Sequence, residues 1–336
     1  MSNYSAWKVR AEDLPTTGSL EQKLMFLCRY AILAPSVHNS QPWRFEVGSG
    51  FIEVKLEKER VLGAGDPTGR EGWISLGACI ENLLVAGEFF GLSGQPGETN
   101  AEGVTLLFKP APPSQDASPL LNATVYRATD RGPYSKATLP VNVINQLNAI
   151  SRPGVSVVVR DDTEMINMVA NLTERAIGMA LSNPSFRTEL SGLVHHNWTR
   201  SHIGMPGFSL GVSGARSGLE SRIIRGGLMI DKQAKKESQA IRASAAIVLV
   251  LSEGDTRQYW LEAGRAYQRA ALVATAHGLH CSTTAATVEA ADFHLDIEQL
   301  VQTKGRLQTV MRLGKSNNRV RHSPRLPLES VATFAS

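Results

Sequence analysis

The stretch Ala34-Pro35-Ser36-Val37-His38-Asn39-Ser40-Gln41-Pro42-Trp43 sets how the front of this chain folds. Each proline fixes its own φ angle and restricts the residue before it, so the segment is expected to be a rigid turn. Helical apolar spacing ends just before the turn, and strand-like alternation begins just after it. Amide and hydroxyl side chains at such a junction suit a flat ligand with a polar edge. The alternative is an ordinary turn that only ends a helix.

Periodicity and capping signals predict the elements around this turn. Ser19 and Gln22 form a capping box for a helix that ends near Leu33. A hairpin follows around Gly48-Ser49-Gly50. Further helices are expected over 71–90, 139–150, 161–180 and 258–277, strands over 104–108, 155–159, 245–251 and 307–313, and a Pro/Ser/Ala-rich linker over 110–119.

Part of the pattern occurs twice. The residues Trp73, Gly77, Gly91 and Leu92 recur as Trp260, Gly264, Gly278 and Leu279, each 187 residues further on. Both sets occupy a long helix and the glycine that ends it, which indicates an internal duplication. We therefore expect two pseudo-symmetric halves, 1–118 and 119–336.

A glycine-rich insert, about 183–239, fits the repeat poorly. A long insert of this kind in a compact protein is either functional or a packing excursion. As a lid over a bound ligand, it would use Met205, Pro206 and Phe208 as covering residues.

Composition narrows the function classes. The chain has 336 residues, a net charge of +4, and no apolar run long enough to span a bilayer. Its three cysteines lie far apart, and Cys28 and Cys79 fall on apolar helix faces as core residues do. His195, His196 and His202 match no standard metal-site spacing, and the basic stretches carry no nucleic-acid recognition motif. We expect a cytoplasmic protein without a metal, nucleic-acid or membrane partner.

The order A-P-S-x-x-N-x-Q-P-W resembles the flavin-binding segment of the nitroreductase-like flavoproteins. That resemblance implies that Pro35, Ser36, Asn39 and Gln41 face the edge of an FMN ring. It also implies an α+β fold, in which each half has a central, mostly antiparallel sheet flanked by helices.

Two further segments resemble the family's phosphate-binding elements. Tyr126-Arg127-Ala128-Thr129-Asp130-Arg131 resembles the family's R-R-S-x-R element, which implies that Arg127 and Thr129 bind the FMN phosphate. Ala128 departs from the second arginine of that pattern. The C-terminal Arg-Leu-Pro resembles the tail that returns to the same phosphate, with Arg325 as the match and Arg321 as a weaker candidate.

The distribution of these segments resembles the Acg-like branch of the nitroreductases. In a homodimeric nitroreductase, each flavin takes phosphate contacts from one subunit and ring-edge contacts from the other. Here the ring-edge turn occurs only in the first half, and the phosphate element only in the second. The resemblance therefore implies one FMN per chain and a monomer that mimics a homodimer.

Three functions remain open at this point. The first is an FMN-dependent oxidoreductase that reduces nitro or quinone-type small molecules by flavin hydride transfer, with NAD(P)H as a candidate donor. The second is a protein that sequesters or stores FMN with little turnover. The third is an interaction protein with a degenerate flavin site. No catalytic residue is assigned, and His38 is either a proton donor or a structural turn residue.

Overall fold

The computed structural model describes residues 2–135, 137–301, 304–318 and 320–335. Its eleven described α-helices are α1 Leu20–Ala31, α2 Arg70–Phe89, α3 Ala117–Tyr126, α4 Val141–Asn148, α5 Thr163–Ser182, α6 Pro184–Leu193, α7 Glu220–Arg225, α8 Ile230–Arg242, α9 Arg257–Ala276, α10 Ala286–Glu289 and α11 Phe293–Val301. The described strands are β1 Trp43–Gly48, β2 Phe51–Leu56, β3 Leu92–Thr99, β4 Gly103–Pro110, β5 Ser151–Arg152, β6 Val155–Arg160, β7 Val194–His195, β8 Met205–Pro206, β9 Ala246–Ser252, β10 His280–Thr284, β11 Arg306–Gly314 and β12 Ala332–Phe334. Helices combined with largely antiparallel sheets confirm the α+β class.

Two five-stranded sheets repeat one strand order. The first runs β12-β1-β2-β4-β3, and the second runs β10-β11-β9-β6-β5. The series β1, β2, α2, β3, β4 corresponds to β6, β9, α9, β10, β11, and the equivalent strands pair antiparallel in both sheets. The sheets differ at one edge, where β12 joins β1 in parallel and β5 joins β6 antiparallel.

The two long helices α2 and α9 cross at glycines. A Cβ atom on Gly77 would lie 2.0 Å from the Leu261 carbonyl oxygen, and one on Gly264 would lie 2.1 Å from that of Ile74. Gly77 and Gly264 are an expected repeat pair, and Ile74 and Leu261 have the same offset of 187 residues. The contact is therefore reciprocal, as it is across a two-fold axis.

Strand β9 separates two apolar cores. All seven of its residues are buried, because both faces of the strand are covered. Val248 and Val250 join the main core with α2 and α9, whereas Ile247 and Leu249 face a second core built on α5 and α11. Cys28 and Cys79 are buried in the main core, as expected from their apolar helix faces.

Both major departures from the repeat lie in the second half. Helices α5 to α8 interrupt the β6–β9 pair, where the first half has only the turn between β1 and β2. Helices α10 and α11 separate β10 from β11, where the first half has a short turn between β3 and β4. The interruption of the first pair is longer than the expected insert, 183–239, because α5 also lacks a counterpart.

The expected linker over 110–119 is wrong in part. Pro110 ends β4, and α3 already begins at Ala117. Pro119 lies in the first turn of α3, where a missing N–H costs nothing. Strand β3 was not predicted, because its sequence contains two glycines and a proline.

No helix among the described residues combines the length and hydropathy that a bilayer crossing requires.

Candidate functional site

The turn after α1 holds three non-glycine residues in left-handed backbone conformations. His38, Asn39 and Gln41 have φ angles of 46°, 59° and 54°. The Ser36 hydroxyl accepts a hydrogen bond from the Gln41 N–H at 2.9 Å and closes the turn. Such conformations persist only where surrounding contacts stabilise them, and they concentrate at functional sites.

A small cavity of about 50 Å³ opens beside this turn. It lies where the turn, the segment after α3, the C-terminal tail and the N-terminal segment meet. Its lining comprises Trp7, Pro35, Ser36, His38, Asn39, Arg127, Ala128, Thr129, Arg131, Met205, His322, Ser323 and Arg325. Six of the seven expected site residues are thus brought together, and Gln41 is outside the lining.

Two buried arginines leave donors unused in this cavity. Arg127 and Arg325 are each only 3% exposed. Within the described part of the chain, no hydrogen-bond partner is found for Nε and Nη1 of Arg127 or for Nε of Arg325. Buried guanidinium donors without partners are costly, so a site of this kind fits an anion.

The pKa values of neighbouring groups reflect the crowding of positive charge. The pKa of His322 is lowered to about 4, first by burial and then by the charges of Arg127 and Arg325. Burial, followed by the nearby charge of Arg127, also lowers the pKa of Arg325. The pKa of His38 is lowered to about 4 by burial and then by Arg131. Both imidazoles are therefore neutral near pH 7.

The remaining donors of Arg325 hold the turn in place. Its Nη2 donates to the carbonyl oxygens of Leu33 and Ala34, both at 3.0 Å, and so satisfies carbonyls that follow α1. Its Nη1 donates to Asn39 Oδ1 at 2.8 Å. The Arg325 guanidinium also lies 4.7 Å from the Trp7 ring centroid. Arg325 thus connects the tail to the end of α1 and to the turn.

The amides of Asn39 and Gln41 are used within the protein. Asn39 Nδ2 donates to the Gly204 and Pro324 carbonyls, both at 3.0 Å. Gln41 Nε2 donates to the His202 carbonyl at 2.7 Å, and Gln41 Oε1 accepts from the Leu326 N–H at 2.8 Å. Both side chains therefore tie the turn to the insert and to the tail.

A second cavity of about 1160 Å³ adjoins the small one and shares His38, Arg131 and Met205 with it. Helices α5 to α8 form one wall, and α10 forms another. The two insertions that break the repeat therefore enclose the same space. Of the expected covering residues, Met205 lines both cavities. Pro206 and Phe208 line neither, and the Phe208 ring lies 4.0 Å from the guanidinium of Arg321.

Known relatives were compared with the chain. No family model matches it. Rv3131 of Mycobacterium tuberculosis, provisionally named an NAD(P)H nitroreductase, is 28% identical over 269 residues, which cover 78% of this chain and 75% of Rv3131. The acg protein of the same organism, given the same provisional name, is 37% identical over 75 residues, or 22% of each chain. The chain is therefore similar to relatives that are named as nitroreductases, and the acg protein is one of them.

A structural comparison finds the FMN-dependent nitroreductase NfnB from Mycobacterium smegmatis, solved in complex with NADPH. It is 16% identical, with a TM-score of 0.42, over 66% of this chain and all of NfnB.

This nitroreductase-like chain departs from the family pattern at Ala128, which lines the small cavity. Arg131 and His322 lie in the same lining.

Trp7 and His322 were not predicted as site residues. Their rings stack with centroids 3.9 Å apart, and Trp7 Nε1 donates to the Ser323 carbonyl. The position of His322 beside the Arg-Leu-Pro tail was the only available signal.

A buried cluster of carboxyl groups lies beside the large cavity and was also missed. Arg70 forms ion pairs with Glu71 and with Glu289, which lines the cavity. Burial raises the pKa of Glu71 to about 8 and that of Asp66 to about 6. Asp66, Arg70 and Glu71 are close in sequence, but Glu289 joins them only through the fold, so no local motif marks the cluster.

Proposed function

We propose that this nitroreductase-like chain binds one FMN and works as an FMN-dependent oxidoreductase. The observation that carries the proposal is that Arg127 and Arg325, two buried arginines with unused donors, both line the small cavity. A phosphate would meet these donors, with the Thr129 hydroxyl beside them.

The joined cavities match the two chemical parts of FMN. The small cavity has room for little more than one anionic group. The larger cavity continues from it past His38 and Met205, where a flat ring system has space. Bound FMN would supply hydride transfer, which no side chain supplies.

The chain's own residues hold and orient the cofactor. Pro35, Ser36 and Asn39 line the small cavity, and Asn39 also accepts a hydrogen bond from Arg325. Gln41 acts through the shape of the turn. His38 is uncharged near pH 7, because burial lowers its pKa to about 4. A neutral imidazole donates a hydrogen bond but is a weak proton source, so we assign His38 to orientation.

Nitro and quinone-type electrophiles are the proposed substrates, and NAD(P)H is the proposed donor. The names of the relatives support this choice, and the large cavity supplies the space beside the cofactor. The FMN-storage alternative would require an insert that closes over the ring. Here the insert is hydrogen-bonded to the turn through Gly204, yet a cavity of about 1160 Å³ stays beside it. That open space supports turnover.

The phosphate assignment is tested with two ligands. FMN and riboflavin differ only in the phosphate, so their affinities for Arg127→Ala and wild type separate phosphate contacts from ring contacts. We expect at least about tenfold weaker FMN binding and unchanged riboflavin binding. Arg10→Ala, an exposed arginine, is the matched control. Equal FMN affinity in Arg127→Ala and wild type would refute the assignment.

Turnover is tested by adding NADPH anaerobically to the FMN-loaded protein. Bleaching of the flavin absorbance, followed by reoxidation with a quinone or a nitroaromatic, is the expected result. A flavin spectrum that persists through both additions would favour FMN storage.

A further inference from the structure

The surface segment 216–236 carries a concentrated positive charge. It contains six basic and two acidic residues, so its net charge of +4 equals that of the whole chain. All six basic side chains are exposed: Arg216, Arg222, Arg225, Lys232, Lys235 and Lys236. The rest of the chain is neutral on balance, so this segment accounts for the whole net charge.

The same segment exposes large apolar side chains. Leu219, Leu228 and Met229 are 52%, 62% and 45% exposed. Leu228 and Met229 lie at the tip between α7 and α8, where Gly227 and Met229 both adopt left-handed backbone, with φ angles of 65° and 64°. A methionine in that conformation is strained, and the strain accompanies an apolar tip that stays open to solvent.

This segment also forms the mouth of the large cavity. Arg216, Leu228, Met229, Lys232, Lys235 and Lys236 are exposed to solvent and line the cavity at the same time. Lys232, Lys235 and Lys236 share one face of α8, while Ala234, Ser238 and Ile241 are buried on another. Whatever binds the segment therefore lies across the entrance to the proposed active site.

We propose that segment 216–236 docks this entrance on an anionic lipid bilayer. Exposed apolar side chains surrounded by lysine and arginine are the pattern of interfacial binding, in which the apolar groups enter the headgroup layer and the basic groups meet anionic lipids. Docking of this kind requires no spanning helix. The sequence predicts no membrane partner because it has no apolar run long enough to span a bilayer. Surface docking does not need such a run. A cavity entered from a bilayer would receive lipid-soluble ligands.

An acidic protein would also match the charge of the segment. It would not account for an apolar tip that is exposed among the basic residues, and a bilayer does. We therefore argue for the lipid surface and treat a protein partner as an outcome of the test.

The experiment is flotation of the full chain with vesicles. We expect binding to vesicles of phosphatidylglycerol and phosphatidylcholine, weaker binding at high salt, and little binding to phosphatidylcholine alone. Two variants, Arg222→Glu with Arg225→Glu and Leu219→Ser with Leu228→Ser, should each weaken binding at least about tenfold. Lys8→Glu with Lys109→Glu makes the same charge change elsewhere and should bind as wild type does, as should Leu107→Ser, another exposed leucine.

Two outcomes would overturn the proposal. One is wild-type protein that fails to float with anionic vesicles. The other is a loss of vesicle binding in the control variants that equals the loss in the segment variants. Retention on an acidic protein without vesicle binding would assign the segment to a protein partner instead. FMN affinity is measured on the Arg222→Glu, Arg225→Glu variant, because neither arginine lines either cavity. Unchanged FMN binding with lost flotation separates this proposal from the proposed function.

Discussion

Asn39 is the residue on which the turn, the tail and the insert converge. Its amide donates to the Gly204 and Pro324 carbonyls, and its side-chain carbonyl oxygen accepts from Arg325. Its φ angle of 59° is tolerated by asparagine and glycine better than by other residues. One position therefore combines a conformational and a hydrogen-bonding requirement.

Two substitutions separate these requirements. Asn39→Gly keeps the left-handed conformation and removes the hydrogen bonds, and it should lower the free energy of unfolding by about 2 kcal/mol. Asn39→Ala adds conformational strain and should cost about 1 kcal/mol more. Urea denaturation measures both values. Equal stability of the two variants would show that the left-handed backbone imposes no cost.

His322 should make stability depend on pH. Its pKa in the folded protein is lowered to about 4, whereas in the unfolded chain it keeps its ordinary value near 6.5. Between these values the unfolded chain binds more protons, so stability should be complete above pH 6.5 and fall as the pH approaches 4. His322→Gln should make this decline shallower, with a remainder from His38. Denaturation across this pH range tests the expectation, and an unchanged slope in the variant would contradict it.

At the scale of elements, the crossing of α2 and α9 is the tightest contact between the two halves. It depends on glycine at two positions, because a single methyl group at either would meet the backbone of the opposite helix.

Buried polar pairs accompany the crossing. Glu81 forms ion pairs with Arg152, Arg265 and Arg269, and these charges, against the opposing effect of burial, lower its pKa.

Alanine at either crossing glycine should destabilise the protein. Gly77→Ala and Gly264→Ala would each place a Cβ near 2 Å from a carbonyl oxygen. We expect each substitution to lower the free energy of unfolding by about 3 kcal/mol. The control is Gly178→Ala in α5, where a Cβ would meet nothing within 4 Å. Because alanine has a higher helix propensity than glycine, that substitution should raise the free energy of unfolding by about 0.5–1 kcal/mol. Thermal and urea unfolding of all three variants provide the comparison, and a neutral Gly77→Ala would mean that the helices separate at little cost.

At the scale of the whole molecule, repetition and asymmetry have separate roles. The matching strand orders and the reciprocal crossing relate the two sheets and their long helices as a two-fold axis would. Among the described residues, the two insertions lie in the second half and enclose the large cavity. We propose on this basis that one flavin site is retained and that 1–118 and 119–336 are the duplicated halves.

This proposal predicts mass and stoichiometry together. The FMN-loaded protein should have a solution mass near the 36.4 kDa of one chain and bind one FMN per chain. Light scattering coupled to absorbance measures both quantities on one sample. Two FMN per chain, or an obligate dimer, would refute the internal-dimer interpretation.

About half of the described helices and strands, and the main site segments, follow from local sequence. The capping box at Ser19 begins α1, and the buried run of β9 and the long helices α2, α5 and α9 lie where periodicity predicts them. These features depend on neighbours in the sequence, such as helix caps and repeating apolar positions, so a local pattern is enough to predict them. The order of residues 34–43 predicts the turn in the same way, because its prolines act on adjacent residues.

How the side chains are used depends instead on tertiary contacts. Gln41 was expected at a flavin edge, but its amide is satisfied by His202 and Leu326. The orphaned donors of Arg127, the stack of Trp7 on His322 and the shared wall of the large cavity all join distant segments. A hydrogen-bond partner or a cavity exists only after remote parts of the chain meet, and for that reason local sequence patterns do not determine it.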